Sequence, residues 1–274
     1  MGDLFDLSGK VAVITGGAGF LGQQHAAAIA AYGGTPVLVD LNRLQLDCAV
    51  RRLNEQYATD AAGYVIDITQ EVPVGELCAE VLRQFGRADI LINNAARNPA
   101  VGRSNQLTNT SRLENFPLEL WNEDLAVGLT GSFLCSKHFG AAMAAAGGGS
   151  IINIASDLGI IAPNQTLYRQ DGVADDQQNV KPVTYSVVKT GLIGLTRYLA
   201  TYWPERGVRC NALCPGGVLN EQGTEFLTRI RALIPMARMA QPDELKGAVV
   251  FLASEASSYV NGAVLAVDGG RTVW

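Results

Sequence analysis

Short runs of β-branched and aliphatic residues alternate with longer stretches of helical periodicity along most of this chain. Seven such runs predict strands, at 10–15, 37–39, 63–66, 88–92, 150–154, 208–213 and 263–267. The stretches between them predict helices, at 23–31, 44–57, 72–85, 118–145, 183–199 and 243–253. Strands that alternate with helices form parallel sheets with helices on both faces. We therefore expect an α/β fold, a doubly wound parallel sheet of seven strands in a single domain over residues 1–274.

The composition indicates a folded protein rather than a disordered one. With 274 residues, 48% of them hydrophobic and 17% charged, the chain can bury a large core. Its formal net charge of -5 offers no electrostatic footprint for nucleic acid or anionic lipid. No apolar run reaches the roughly 18 residues of a membrane span, and residues 1–10 hold no basic-then-apolar leader. We expect a soluble, cytoplasmic protein without nucleic-acid or membrane partners.

The cysteines and histidines do not predict a metal site. Five cysteines are scattered mostly through apolar segments, and two histidines fall inside predicted helices. None of these residues are grouped at the spacing that metal ligands require. We interpret the cysteines as core thiols and expect no metal.

A glycine-rich turn joins the first predicted strand to the first helix. Gly16, Gly19 and Gly22 directly follow the strand at 10–15, Phe20 and Leu21 lie within the turn, and the predicted helix begins at Gln23. Glycines permit a tight turn and bring the backbone close to a diphosphate at the positive end of the helix. Flexible turns produce similar glycine sets, but this position favours a Rossmann-type dinucleotide site.

The second predicted strand, at 37–39, is followed by Asp40. Dinucleotide-binding folds place a carboxylate here to accept hydrogen bonds from the adenosine ribose. A carboxylate repels a 2'-phosphate, so the sequence favours NAD over NADP. Arg43, one turn later, opposes this preference, and a solvated aspartate at a strand end is the alternative interpretation.

Several polar residues follow the ends of predicted strands. Asp67, Asn93, Ser156 and the segment 215–218 hold such positions. In a doubly wound sheet the ligand binds outside the carboxyl ends of the strands, so these residues are expected to converge on one crevice. The hydroxyl of Ser156 can hydrogen-bond a substrate oxygen there, although a serine at a strand end is more often a turn residue.

Tyr185 and Lys189 lie four residues apart in the helix predicted at 183–199. Positions four apart share one face of a helix, so the phenol and the ammonium project into the same space. A free phenol has a pKa of about 10, and a neighbouring cation favours the phenolate and lowers this pKa. The pair predicts a proton-transfer site, with a packed ring beside a solvated amine as the alternative.

Together these segments resemble the short-chain dehydrogenase/reductase family at its standard single-domain length, over residues 7–270. The resemblance rests on the order and spacing of several motifs rather than on any one of them. These motifs are the glycine loop, Asp67, Asn93-Asn94-Ala95, Ser156, Tyr185-x-x-x-Lys189, Asn211-Ala212, Pro215-Gly216 and Val267-Asp268-Gly269-Gly270.

The resemblance implies three catalytic residues. Tyr185 would be the general acid/base, Ser156 would hold the reacting oxygen, and Lys189 would bind the nicotinamide ribose and lower the pKa of Tyr185. Hydride chemistry belongs to the nicotinamide, and the protein supplies orientation and a proton path.

The resemblance also implies a set of cofactor contacts. Asp67 would contact adenine, Asn93 and Ala95 would line the cofactor, and Val218 would lie near the nicotinamide amide. The full set of implied cofactor-binding residues is Gly16, Gly19, Phe20, Leu21, Asp40, Asp67, Ile68, Asn94, Ala95, Tyr185, Lys189, Pro215, Gly216 and Val218.

Three positions depart from the usual family pattern. Phe20 replaces the middle glycine, and the resulting glycine spacing is like that of the extended branch containing nucleotide-sugar epimerases. Gly128 replaces an asparagine that orders a water beside the active-site lysine, so that either a water chain passes through the vacated space or the proton relay is impaired. Asn220 replaces a threonine that bonds the carboxamide, and it retains a donor and an acceptor.

Three segments are expected to form substrate loops, at 97–115, 157–182 and 217–239. Tyr185 follows Ser156 by 29 residues, about twice the usual family interval, and the added residues are largely polar. They form either a solvated flap or interface element, or a lid suited to a polar, hydroxyl-rich or charged substrate.

We therefore expect an NAD-dependent oxidoreductase that interconverts a secondary alcohol and a ketone on a polar small molecule, such as a sugar or sugar-acid derivative. One alternative is an NAD-binding protein with little catalysis, which Gly128 motivates. The other is an epimerase or dehydratase with tightly held NAD, which the glycine loop motivates. The resemblance further implies a homodimer or homotetramer, formed through the helices that contain Leu118 and Tyr185.

Overall fold

The computed structural model describes residues 3–97 and 110–274, and these contain a sheet of seven parallel strands. The strands are β1 (Val11–Thr15), β2 (Thr35–Asp40), β3 (Ala62–Val65), β4 (Ile90–Asn93), β5 (Gly149–Ile154), β6 (Val208–Pro215) and β7 (Val264–Val267). Their order across the sheet is β3-β2-β1-β4-β5-β6-β7. The predicted α/β fold, with a doubly wound sheet in a single domain, is confirmed.

Eight α-helices flank the sheet in the described residues. They are α1 (Phe20–Ala31), α2 (Arg43–Tyr57), α3 (Glu71–Phe85), α4 (Leu118–Leu125), α5 (Gly131–Ala145), α6 (Val183–Tyr202), α7 (Thr224–Arg231) and α8 (Lys246–Ala253). The helix predicted at 118–145 is divided by a π-helical turn, Ala126–Thr130. The helix predicted at 243–253 begins only at Lys246, because 242–245 form turns. Helix α7 lies within the segment 217–239, which the sequence predicted as a substrate loop.

Alternate residues of the central strands pack on opposite faces of the sheet. In β1, Ala12 and Ile14 join the core under α1, α2 and α8, whereas Val11 and Val13 join the core under α3 and α5. Both sets are buried because helices cover both faces, so the strand is apolar throughout rather than alternating. This two-sided burial explains why the strands were recognisable as short apolar runs.

The strand order reverses between β1 and β4. From this point β2 and β3 follow on one side, and β5, β6 and β7 follow on the other. Helices that cover opposite faces diverge at such a reversal and leave a crevice outside the carboxyl ends of the strands. The segments that follow β1, β2, β4, β5 and β6 meet at this crevice.

Two of the predicted substrate loops pack against each other. Leu167, from the 157–182 segment, is buried with Ile230, Ile234 and Met239. The rings of Tyr168 and Phe226 also meet, with 5.8 Å between their centroids. The 157–182 segment is therefore anchored to the 217–239 segment by a small apolar cluster of its own. Most of the third predicted loop, 97–115, lies outside the described residues.

No helix within residues 3–97 and 110–274 is both long enough and apolar enough to cross a membrane.

Candidate active site

A cleft of about 760 Å³ opens along the carboxyl ends of the strands, where the strand order reverses. Every residue in the predicted catalytic and cofactor-binding sets except Asn93 lines it. These residues are Gly16, Gly19, Phe20, Leu21, Asp40, Asp67, Ile68, Asn94, Ala95, Ser156, Tyr185, Lys189, Pro215, Gly216 and Val218. The fold thus brings together residues that are far apart in the sequence.

The glycine loop is packed so tightly that side chains are excluded. Gly16 has a φ of +62°, and a Cβ there would lie 2.9 Å from the Cα of Ala95. A Cβ on Gly22 would overlap the carbonyl oxygen of Gly16. The start of α1 is consequently drawn against the end of β1, and Gly19, its N-cap residue, supplies no side-chain cap. The N-terminal turn of α1 therefore presents backbone N–H groups at the cleft.

Asp40 lies at the end of β2 beside this loop. Its carboxylate accepts hydrogen bonds from the backbone N–H groups of Ala18 and Asn42, each at 3.1 Å. These bonds hold the carboxylate against the glycine loop and leave further lone pairs for ligand hydroxyls. Arg43 is exposed, and among the described residues it is not part of the cleft lining.

The end of β4 is tied to the end of β1. The side-chain amide of Asn94 donates to the carbonyl oxygens of Thr15, at 2.9 Å, and Gly16, at 3.1 Å. The Thr15 hydroxyl oxygen accepts from the backbone N–H groups of Asn94 and Ala95, each at 3.0 Å. This brace holds the glycine loop and Ala95 at a fixed separation.

The prediction that Asn93 lines the cofactor is wrong. Asn93 is buried, and its amide donates to Asn153 Oδ1 at 2.8 Å and to Ser136 Oγ at 3.0 Å. Because Asn93 is the last residue of β4, its side chain points to the opposite side from that of Asn94. It joins β4 to β5 and α5 beneath the sheet instead of facing the cleft.

Ser156, Tyr185 and Lys189 meet at the other end of the cleft. Ser156 lies just after the end of strand β5. The four-residue spacing of Tyr185 and Lys189 places these two side chains on one face of helix α6. The Tyr185 hydroxyl lies 3.5 Å from Ser156 Oγ, at the outer limit of a hydrogen bond. The Lys189 ammonium donates to the carbonyl oxygen of Ile154 at 2.7 Å and lies 5.8 Å from the Tyr185 ring centroid.

The pKa of Tyr185 is raised, against the direction that the sequence predicted from Lys189. Burial raises the pKa of Tyr185 and outweighs the effect of its hydrogen bond with Ser156, and Asp157 raises it further. Burial also lowers the pKa of Lys189 to about 8, and the neighbouring Lys181 adds to this shift. Burial is therefore the largest influence on the pKa of both groups.

A buried ion pair that the sequence analysis missed supports Ser156. The Ser156 hydroxyl donates to Asp157 Oδ1 at 2.7 Å, and Arg271 Nη1 donates to Asp157 Oδ2 at 2.6 Å. The side chains of Arg271 and Asp157 are only 7% and 4% exposed. Since these residues are 114 positions apart, no local pattern in the sequence could have linked them. The turn after β7 therefore reaches back to the catalytic candidates.

A second lysine reaches the site from the 157–182 segment. The Lys181 ammonium lies 3.8 Å from the centroid of the Tyr185 ring, and both side chains line the cleft. Burial lowers the pKa of Lys181 to about 8, although Asp157 raises it in part. The sequence analysis predicted a polar insertion here but did not single out this residue.

The space beside Gly128 is filled. A Cβ on Gly128 would overlap Cγ1 of Val188 on α6, so Val188 occupies the place that an asparagine side chain would need. The expectation of a water chain through vacated space is therefore wrong. The other expectation, an impaired proton relay, stays a prediction.

The residues present fit a nicotinamide dinucleotide. The glycine loop lines the cleft at the positive end of the 12-residue helix α1, where backbone N–H groups can bind a diphosphate. Asp40 is placed to accept from ribose hydroxyls, and Ile68 and Asp67 line the cleft beside it. At the far end, Val218 and Asn220 line the cleft beside Tyr185.

Comparison with known proteins agrees with this geometry. Residues 17–272 match the family model described as enoyl-(acyl carrier protein) reductase. The D-threitol dehydrogenase of Mycolicibacterium smegmatis is 34% identical, covering 98% of this chain and 95% of its own length. The galactitol 2-dehydrogenase (L-tagatose-forming) of Cereibacter sphaeroides is 34% identical, covering 99% of this chain and 98% of its own length.

A solved structure shares the whole fold. The gluconate 5-dehydrogenase from Burkholderia cenocepacia, in complex with NADP and tartrate, has a TM-score of 0.85 at 29% identity and covers 99% of this chain and 98% of its own. The match thus extends from the glycine loop to the C-terminal turn that holds Arg271. The chain belongs to the short-chain dehydrogenase/reductase family, and its relatives are oxidoreductases that act on CH–OH groups.

Proposed function

We propose that this protein is an NAD-dependent dehydrogenase that interconverts a secondary alcohol and a ketone on a polyol or sugar acid. The observation that carries the proposal is the meeting of Ser156 and Tyr185, 3.5 Å apart, in the cleft that also holds the glycine loop. Their two oxygens can hold one carbinol or carbonyl oxygen between them. Relatives that act on threitol, galactitol and gluconate support the substrate class.

Tyr185 exchanges the proton of the reacting oxygen, and Ser156 orients that oxygen. When bound, a nicotinamide would supply the acceptor or donor for the hydride. Because burial raises the pKa of Tyr185, the phenol is protonated at neutral pH and can donate to a carbonyl oxygen. In the opposite direction Tyr185 must lose its proton before it accepts one from the carbinol, so oxidation speeds up as the pH rises. Lys189 contributes donors for a ribose hydroxyl.

The cofactor proposal rests on Asp40. A fixed carboxylate beside the glycine loop accepts from a ribose 2'-hydroxyl and repels a 2'-phosphate, which favours NAD. The related gluconate 5-dehydrogenase structure contains NADP, so the preference has to be measured on this chain. We expect kcat/KM for NAD to exceed that for NADP, and we expect Asp40→Ser to reduce or reverse this ratio.

The proposed substrate loops are 157–182 and 217–239, together with 97–115. Their described residues offer polar groups to the cleft, among them Asn220 and Gln222, beside apolar walls from Phe226 and Met239. Gln222 also donates to the Val218 carbonyl at 3.0 Å and accepts from the Asn220 backbone at 2.7 Å. Such a mixed wall suits a short substrate with several hydroxyls.

The test is a panel of D-threitol, galactitol and gluconate with NAD or NADP, followed by the ultraviolet absorbance of the reduced cofactor. NADH formation from at least one of these supports the dehydrogenase. NADH binding without turnover on any of them would favour the binding protein with little catalysis. Conversion of a sugar without net NADH release, with cofactor retained through purification, would favour the epimerase.

We also propose a homodimer or homotetramer through α4, α5 and α6. Apolar side chains on these helices are exposed in the single chain, including Leu118, Phe133 and Tyr198. Light scattering on the purified protein tests this proposal, and a monomer at micromolar concentration would contradict it.

A further inference from the structure

The hydroxyl of Ser156 carries a single proton, and its hydrogen bonds define where that proton points. Ser156 Oγ lies 2.7 Å from Asp157 Oδ1, and both side chains are buried. A carboxylate that is paired with a guanidinium has lone pairs but no proton, so Ser156 is the donor in this bond. The Ser156 proton therefore points into the wall of the cleft and not toward a ligand.

The carboxylate of Asp157 is held in this orientation on both of its oxygens. Arg271 Nη1 donates to Oδ2 at 2.6 Å, and the backbone N–H of Leu158 donates to Oδ1 at 2.8 Å. The guanidinium and the carboxylate are buried together, so neither charge can turn away without leaving the other unpaired in the interior. The acceptor for the Ser156 proton is thus fixed by a residue from the C-terminal turn.

The Ser156 oxygen has two lone pairs, which are its remaining groups for hydrogen bonding. The backbone N–H of Leu158 approaches this oxygen at 3.2 Å. The Tyr185 hydroxyl lies 3.5 Å away in the geometry of a donor to Ser156 Oγ, and both residues line the cleft. Toward the cleft, Ser156 therefore presents a hydrogen-bond acceptor.

This direction distinguishes an alcohol from a ketone. A carbinol oxygen can accept from the Tyr185 hydroxyl and donate its own proton to Ser156 Oγ. A carbonyl oxygen has no proton, so beside Ser156 two acceptors would face each other. To donate instead, Ser156 would have to break its bond to Asp157 and leave a buried carboxylate oxygen without that donor. The hydrogen-bonding groups of the site thus match the alcohol.

We propose that Asp157, held by Arg271, is a positioning residue that makes Ser156 a hydrogen-bond acceptor, so that the site binds an alcohol more tightly than the corresponding ketone. The proposal rests on the proposed function in that the reacting oxygen lies between Ser156 and Tyr185. When Tyr185 loses its proton, the carbinol proton turns from Ser156 to the phenolate. The role of Tyr185 in proton transfer is therefore unchanged, and the ketone is the form that the site releases.

Ser156→Ala tests this proposal with two matched ligand pairs, D-threitol with D-erythrulose and glycerol with dihydroxyacetone. Neither ketone can close into a ring. Each alcohol is titrated into NADH-saturated protein and each ketone into NAD-saturated protein, so that hydride transfer at the reacting carbon is blocked, and calorimetry at about pH 7 gives the Kd. Because a neutral hydrogen bond is lost only with the alcohol, alcohol binding should weaken roughly 2- to 10-fold while ketone binding stays within about twofold.

Two further variants locate the effect in Asp157. Asp157→Leu/Arg271→Met replaces the buried pair by apolar side chains, a change that buried ion pairs often tolerate. It leaves the Ser156 proton free to turn into the cleft, so ketone binding should tighten roughly 2- to 10-fold, and adding Ser156→Ala should then remove this gain. Arg271→Lys keeps a cation beside Asp157 and should retain the wild-type pattern. A merely structural role of the pair would change alcohol and ketone binding equally.

Equal weakening of alcohol and ketone in Ser156→Ala would overturn the proposal, as would failure of all four ligands to bind. Poor folding of the double variant would not block the test, because Ser156→Ala decides it in the wild-type background. Oxidation of threitol or glycerol together with equal weakening would remove the positioning role and keep the dehydrogenase. A Ser156-dependent preference for alcohols with no NADH formed from any of them would keep the positioning role and remove the dehydrogenase.

Discussion

The cleft has two contrasting ends. The glycine-loop end, lined by Gly16, Asp40 and Asp67, is built largely from backbone atoms and strand ends, whereas side chains from distant segments dominate the Tyr185 end, lined by Ser156, Tyr185 and Lys189. Gly16 and Gly22 leave no room for a Cβ, and Asn94 ties β4 to β1. By contrast, Arg271 and Lys181 reach the Tyr185 end from the C-terminal turn and the 157–182 segment. The first end is constrained by close backbone packing, and the second by electrostatics.

This difference separates what the family shares from what distinguishes this chain. Where backbone atoms form the wall of a site, as at the tightly packed glycines, almost no substitution is tolerated, because any side chain adds atoms to space that is already filled. A site made of side chains can be altered one residue at a time while the sheet stays intact. We therefore expect cofactor chemistry to follow the glycine-loop end and substrate choice to follow the Tyr185 end.

The largest expected effect is at Tyr185. Tyr185→Phe removes the proton donor and acceptor but keeps the ring, so kcat should fall by roughly 1,000-fold while the Kd for NADH stays within about twofold. Steady-state kinetics and NADH fluorescence measure the two quantities. Tyr259→Phe, at a fully exposed position outside the cleft and outside helices α4, α5 and α6, is the control and should leave both unchanged.

The second largest effect is expected on stability, from the buried ion pair between Arg271 and Asp157 at the Tyr185 end. Arg271→Met leaves the Asp157 carboxylate buried beside Ser156, and the free energy of unfolding should fall by about 3–5 kcal/mol. Adding Asp157→Asn should recover most of this loss. The control is Arg83→Met, which removes an exposed ion pair with Glu80 and should cost less than about 1 kcal/mol. Similar urea denaturation curves for the two single variants would contradict our assignment.

A smaller effect is expected at the glycine loop. In Gly22→Ala the new methyl group would overlap the Gly16 carbonyl, so the loop must shift, and the Kd for NADH should rise by about 10- to 100-fold. Gly247→Ala places a methyl group in open space at the start of α8 and serves as the control. Fluorescence titration with NADH measures both. Unchanged NADH affinity in Gly22→Ala would break the contrast between the two ends.

The sequence alone predicted the sheet, most of the helices and the lining of the glycine-loop end. It did so because buried parallel strands are short apolar runs, and because glycine spacing and the four-residue Tyr185 to Lys189 interval are local signals. The side-chain direction of Asn93 could not be predicted, since it depends on where β4 ends. The Arg271 to Asp157 pair and the filling of the Gly128 space by Val188 depend on contacts between distant segments.

The pKa of Tyr185 is the clearest case of a wrong physical expectation. Sequence spacing identified the neighbouring cation but gave no information on how much water the folded site excludes. In the structure burial dominates, and it shifts the pKa of Tyr185 upward and that of Lys189 downward. The spacing of residues along a helix predicts which charged groups lie close together, whereas the extent to which these groups are removed from water can be determined only from the complete fold.

The most direct test of the account is a crystal structure of the protein with NAD and threonate or threitol bound. Our account predicts that the carbinol oxygen lies within hydrogen-bond distance of both Ser156 Oγ and Tyr185 Oη, beside the nicotinamide. A ligand bound in the cleft with that oxygen turned away from Tyr185 would contradict it.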